Sequence, residues 1–196
     1  MIRKAISKRE TTETEVVVSV IIDGNGSCVS VSGNGFFDHM VTLFAKHGLF
    51  DLNLKCQGDV EIDFHHSAED IGITLGSAFK EALGEKKGIT RYGSAYVPMD
   101  ETLVRAVIDI SGRSNLIYEE NLRDRVISSF EVDLIYDFLK GFCDSLGATL
   151  HIDIIRSRNS HHAIEAIFKA LGRSLRTAVT IDERAKNAIP STKGVL

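Results

Sequence analysis

Apolar residues recur along this chain at two spacings. Phe50-Asp51-Leu52-Asn53-Leu54-Lys55-Cys56 alternates apolar and polar, as a half-buried strand does. Ala148-Thr149-Leu150-His151-Ile152-Asp153-Ile154 alternates in the same phase, 98 residues later. Ile71, Leu75 and Phe79 fall four apart, the spacing of one helix face, and Ile167, Leu171 and Leu175 repeat them at an offset of 96. Gly76 maps onto Gly172 in the same register. Phe36 to His47 and Leu134 to Leu146 both read as amphipathic helices, with Met40 over Phe138 and Phe44 over Phe142. The pattern predicts a duplicated half, each copy running strands, helix, strand, helix. Asp23-Gly24-Asn25-Gly26 and Ser111-Gly112-Arg113 predict hairpin turns, hence a small antiparallel sheet in each half. At 196 residues the halves are expected to share one core, a single domain 1–196 of two repeats, about 1–88 and 89–196. Two sheets backed by four helices make an α+β layered architecture.

The two later helices of the halves open on one five-residue pattern, His65-His66-x-x-Glu69 and His161-His162-x-x-Glu165. Adjacent helical residues project about 100° apart, so one ion is not expected to take both histidines of a pair. The glutamate is within reach of either, four residues past the first and three past the second. Clustered His and Glu are a common ligand set for divalent transition metals, and six such side chains point to two metal sites. The repeat also pairs His39 with Asp137 at offset 98, which makes each a candidate seventh or eighth ligand.

Charge and composition narrow the setting. Twenty-three basic against 27 acidic residues leave a net charge of −4, without the footprint of a nucleic-acid or membrane binder. No apolar run approaches a membrane span and the first residues lack a signal-peptide core, so a cytoplasmic protein is expected. Cys28, Cys56 and Cys143 are odd in number and far apart, and read as buried thiols in a reducing compartment. Arg91, Arg113 and the tail Pro190-Ser191-Thr192-Lys193-Gly194 offer cations, hydroxyls and exposed amides, a candidate phosphate cradle.

Several segments together resemble the imidazoleglycerol-phosphate dehydratase family over nearly the whole chain. They are Arg9-x-Thr11-x-Glu13-Thr14, Gly35-Phe36-Phe37-Asp38-His39-Met40, Asp63-Phe64-His65-His66-Ser67-Ala68-Glu69-Asp70, Arg91-Tyr92-Gly93, Pro98-Met99-Asp100-Glu101, Asp109-Ile110-Ser111-Gly112-Arg113, Asn159-Ser160-His161-His162-Ala163-Ile164-Glu165-Ala166-Ile167-Phe168-Lys169-Ala170, and Pro190-Ser191-Thr192-Lys193-Gly194-Val195-Leu196. The resemblance implies two sheets sandwiching a four-helix bundle, of the ribosomal protein S5 domain 2-like kind. It also implies two manganese ions per active site, built at subunit interfaces of trimers that join into a twenty-four-subunit shell. The ligands it implies are His39, His65, His66, Glu69, His161, His162 and Glu165. At the eighth position Asp137 stands where relatives carry histidine, a carboxylate that manganese accepts. Leu43 likewise replaces a polar family residue, and the match leaves no expectation of a fused phosphatase domain.

The implied reaction is dehydration of imidazoleglycerol phosphate to imidazoleacetol phosphate in histidine biosynthesis. Its lost proton is not acidic, so two ions on the ring nitrogens would stabilise an imidazolate that expels the hydroxyl. Glu165 is the expected proton carrier, Glu13 the residue that orients the diol from a neighbouring subunit, and Lys169 a partner of Glu165 one turn on. Substrate contacts are expected from Glu13, His39, His65, Arg91, Asp100, Arg113, Ser191 and Lys193. The rival readings are a binuclear metallohydrolase of a phosphate ester, and an oligomer merely glued by metal.

Overall fold

The computed structural model describes residues 2–119 and 122–196. Each half repeats one order of elements. The first runs β1 (Lys4–Glu10), β2 (Thr14–Ile21), β3 (Cys28–Val31), α1 (Gly35–Gly48), β4 (Asp51–Gly58) and α2 (His65–Leu83). The second runs β5 (Tyr92–Met99), β6 (Thr102–Asp109), β7 (Asn115–Tyr118), a short ribbon β8 (Val126–Ile127) and β9 (Phe130–Glu131), then α3 (Leu134–Leu146), β10 (Thr149–Arg156) and α4 (Ser160–Val179).

The predicted helices and alternating strands form where the periodicity put them, but the two glycine turns do not close hairpins. The sheets run β1-β2-β4-β3 and β5-β6-β10-β7, so the strand after each turn lies beyond the returning strand and parallel to it. Parallel neighbours need a long crossover, which α1 supplies between β3 and β4. Asp51 at the head of β4 explains the local departure. Its carboxylate accepts from the amides of Asn25 (2.8 Å) and Ser27 (3.0 Å), drawing the turn across the end of β4. In the second half Gly112 donates to Gly147 O (2.8 Å) and Asn115 to Ala148 O (3.1 Å), carrying that turn toward β10. Each sheet is therefore mixed. The true hairpins are β1–β2, turning at Thr11–Glu13, and β5–β6, turning at Asp100-Glu101 with Asp100 in the left-handed region (φ 48°).

The helices fill the space between the sheets. α2 lies on β1 and β2, α4 on β5 and β6, and the cross pairs α1 with α4 and α2 with α3 join the halves. Gly76 and Gly172 set how closely those pairs approach. A Cβ on Gly76 would stand 2.5 Å from Phe142 O, and one on Gly172 would stand 2.5 Å from Phe44 O. Phe44 and Phe142, the repeat-equivalent rings, meet across the interface at 6.4 Å in an edge-to-face pair. One apolar core runs through both halves. Cys56 and Cys143 are inside it, and burial pushes the Cys143 thiol up to about 12. Cys28 departs from expectation in being only half-buried, on a strand that edges its sheet. No described helix is long and apolar enough to cross a membrane.

Candidate functional site

Capping fixes the first turn of α4, and with it the histidine pair. The Asn159 side chain accepts from the amides of His161 (2.9 Å) and His162 (3.3 Å), satisfying donors that a helix start leaves open. The two rings then stand 85° apart with centroids 6.3 Å from each other, and the His65–His66 rings 88° apart at 6.0 Å. The members of each pair point to different places, as helical spacing requires.

His161 meets the other half of the chain. Its Nε2 is 3.1 Å from Glu165 Oε1, and His39 Nε2, arriving on α1, is 3.1 Å from the same oxygen. Lys169 Nζ takes the second oxygen of Glu165 at 2.6 Å. The donor atoms of His39, His161 and Glu165 lie close enough together to share one cation. Burial alone would raise the Glu165 carboxyl, but Lys169, His39 and His161 outweigh it and hold it at about 2. Two imidazoles and a monodentate carboxylate are a donor set that fits a divalent transition ion.

The repeat-equivalent group is looser. His65 Nδ1 stands 3.7 Å from Asp137 Oδ2, joining α2 to α3 as His161 and His39 join α4 to α1. Glu69, on the same face as His65, is exposed and outside that pair. Ile73 occupies the place that Lys169 holds in the other copy.

His66 and His162 face the hairpin turns. His66 Nδ1 is 3.1 Å from Asp59 Oδ2 and 3.7 Å from Glu13 Oε2. His162 Nδ1 is 3.0 Å from Glu101 Oε2 and 4.0 Å from Asp100 Oδ2. His162 and the surrounding amides hold Glu101 at about 2, while Asp59, above all, raises His66. Asp59 and Glu101 were given no role from sequence. For Glu101 the signal was a Glu-Thr pair at 13–14 that returns at 101–102, on equivalent hairpins; Asp59, one residue past β4, carried none.

The tail residues do converge. Arg91, Arg113, Ser191 and Lys193 line one cleft of about 380 Å³ with Ser111 and the last residues of the chain. Arg91 is already engaged: Nε and Nη2 bind Asp109 at 2.7 and 3.1 Å, and Nη1 donates to Pro190 O at 2.9 Å. It anchors the tail, leaving Arg113 and Lys193 as the cleft's cations without an ion pair among the described residues.

This cleft is far from the histidines of its own chain. Arg91 donates its amide to Ala178 O near the end of α4, whereas Glu165 lies near the beginning. Thirteen residues at about 1.5 Å each put roughly 20 Å between them.

Comparison with other proteins places the chain. A sequence profile described as imidazoleglycerol-phosphate dehydratase matches residues 32–175. The protein of that name from Nitrosomonas eutropha is 54% identical over 99% of this chain and 100% of its own length. The one from Thermoanaerobacter sp. strain X514 is 53% identical, with the same coverage. Among solved structures, imidazoleglycerol-phosphate dehydratase of Staphylococcus aureus superposes with a TM-score of 0.81 at 40% identity, covering 91% of this chain and all of that one. The Pyrococcus furiosus enzyme, in complex with (S)-C348, gives 0.81 at 38% identity, covering 96% and 99%. With a profile spanning most of the sequence and full-length relatives above half identity, the chain belongs to the imidazoleglycerol-phosphate dehydratase family.

Proposed function

We propose that the protein dehydrates imidazoleglycerol phosphate to imidazoleacetol phosphate in histidine biosynthesis, at a site closed between subunits around two manganese ions. The observation that carries this reading is the convergence of His39, His161 and Glu165 on one point from the two halves of the chain. The separation of that point from the anion cleft supports the composite site. An imidazole, three carbons and a phosphate span roughly 10 Å, about half the distance between the two features of one chain. The phosphate-holding residues at each histidine cluster are therefore those of a neighbour. His66 and His162, turned away from the clusters of their own chain, are in turn free to complete another's.

Each residue then has a part. Arg113, Lys193 and Ser191 grip the phosphate dianion through charge-assisted hydrogen bonds, and Arg91 keeps the tail in position for them. Glu13, at the β1–β2 turn, orients the diol. Divalent ions held by these histidines and carboxylates would supply Lewis acidity and lower the cost of charge on the imidazole. The C–O bond at the ring-bearing carbon breaks, the neighbouring carbon loses its proton, the hydroxyl and that proton's equivalent leave as water, and the enol tautomerises to the ketone. Glu165 moves the proton, held in place by Lys169.

The test is direct. Purified protein with Mn2+ and imidazoleglycerol phosphate should yield the ketone at a rate that falls on chelation. Release of inorganic phosphate would support a hydrolase in its place, and no reaction a structural oligomer.

A further inference from the structure

We infer that the two ion sites are unequal, the one built on Asp137 binding Mn2+ more tightly than the one built on His39. The inference rests on the two-ion reading above and deepens it. The internal repeat makes the comparison within one molecule. His161 corresponds to His65, Glu165 to Glu69, and His39 to Asp137. With the histidines neutral, the His39 cluster brings one carboxylate, and that carboxylate is bonded to the ammonium of Lys169 at 2.6 Å. Its local charge sums to zero. The Asp137 cluster brings two carboxylates, and Ile73 stands in the place of the lysine. The nearest cation along α3, Lys140, is tied to Asp144. The two clusters thus differ by two whole charges in their attraction for a dication.

Donor type and availability act in the same direction. Carboxylate oxygens suit Mn2+ better than imidazole nitrogens do, and Asp137 replaces a nitrogen by an oxygen. Lys169 occupies Oε2 of Glu165, which leaves one oxygen for an ion. Glu69 is exposed, with both oxygens clear of any hydrogen bond among the described residues. The opposing effect is preorganisation. The His39 cluster is already closed, with both contacts at 3.1 Å, whereas Glu69 must swing toward His65 and Asp137. That costs the ordering of a single side chain, against a difference of two charges. Histidines arriving from neighbours do not change the balance, since His66 and His162 each bring one imidazole backed by a matching pair of acids.

The test reads occupancy rather than turnover. Metal-stripped full-length protein is reloaded with one equivalent of Mn2+ per chain and crystallised, and anomalous scattering is recorded at the manganese edge. We expect at least about tenfold higher occupancy beside Asp137 than beside His39. Asp137→Asn keeps the size and removes the charge, and should level the two. Lys169→Met should narrow the gap from the other side by strengthening the His39 site. Equal occupancy in the wild-type protein, preference for the His39 cluster, or a gap unchanged by Asp137→Asn would overturn the inference. If neither position takes Mn2+ even in excess, the two-ion reading itself falls, and the inference with it.

Discussion

At Glu165 three donors meet one carboxylate, and the group stays ionised across the working pH range. A value near 2 suits a permanent anion, so the proton-carrying role we propose for it would rest on position rather than on basicity. Glu165→Gln keeps the volume and one acceptor while removing charge. We expect turnover to fall at least about a hundredfold, with metal content falling less. Glu69→Gln is the control, and equal losses restored by excess Mn2+ would make both residues plain ligands. A second expectation concerns pH. Asp59 raises His66 above its usual 6.5, so as pH falls a proton captures this imidazole earlier than it would a free one. A ligating imidazole must be neutral, so Mn2+ content at fixed Mn2+ should decline from above that value downward. Asp59→Asn should move the decline to lower pH, and an unmoved curve would remove His66 from the ligand set. The histidines, glutamates and Asp137 were legible because the repeat displayed each beside its counterpart. Asp59 and Glu101 were not: Asp59, just past the end of β4, has Ser157 rather than an acid opposite it at offset 98, and Glu101 reaches His162 from a hairpin turn 61 residues away in sequence.

Helices were the most legible elements, since their apolar spacing is set by the same face that packs. Strand order was not. A glycine turn between two strands does not say whether a third will slip between them, and here the carboxylate of Asp51 and the Gly147–Ala148 carbonyls decide it. The duplicated glycines were visible at offset 96, but their function appears only where helices cross. Gly172→Ala would drive a methyl against Phe44 O, and overpacking of this kind costs about 1–3 kcal/mol. The variant should melt several degrees lower at matched protein and metal concentrations, and an unchanged melt would mean that α1 and α4 separate without cost.

For the molecule as a whole, metal and assembly are one equilibrium in our reading. Ligands from different chains close a site only when those chains meet, so ion binding becomes association free energy. Thorough chelation should convert the particle to a much smaller one on a sizing column, and Mn2+ should restore it. A large particle that persists after verified metal loss would defeat this. The roughly 20 Å between Glu165 and the tail cleft was not legible from motifs, because sequence order says nothing of which end of α4 each faces.

That distance has a genetic consequence. If a working site takes Glu165 from one chain and Lys193 from another, two defective alleles can rescue each other. Glu165→Gln and Lys193→Ala proteins, dissociated with chelator, mixed in equal amounts and reassembled with Mn2+, should regain about a quarter of wild-type activity, the share of sites that draw both intact residues. Neither alone should regain any. Silence from the mixture would put both residues back in a single chain, where the helix between them keeps them apart.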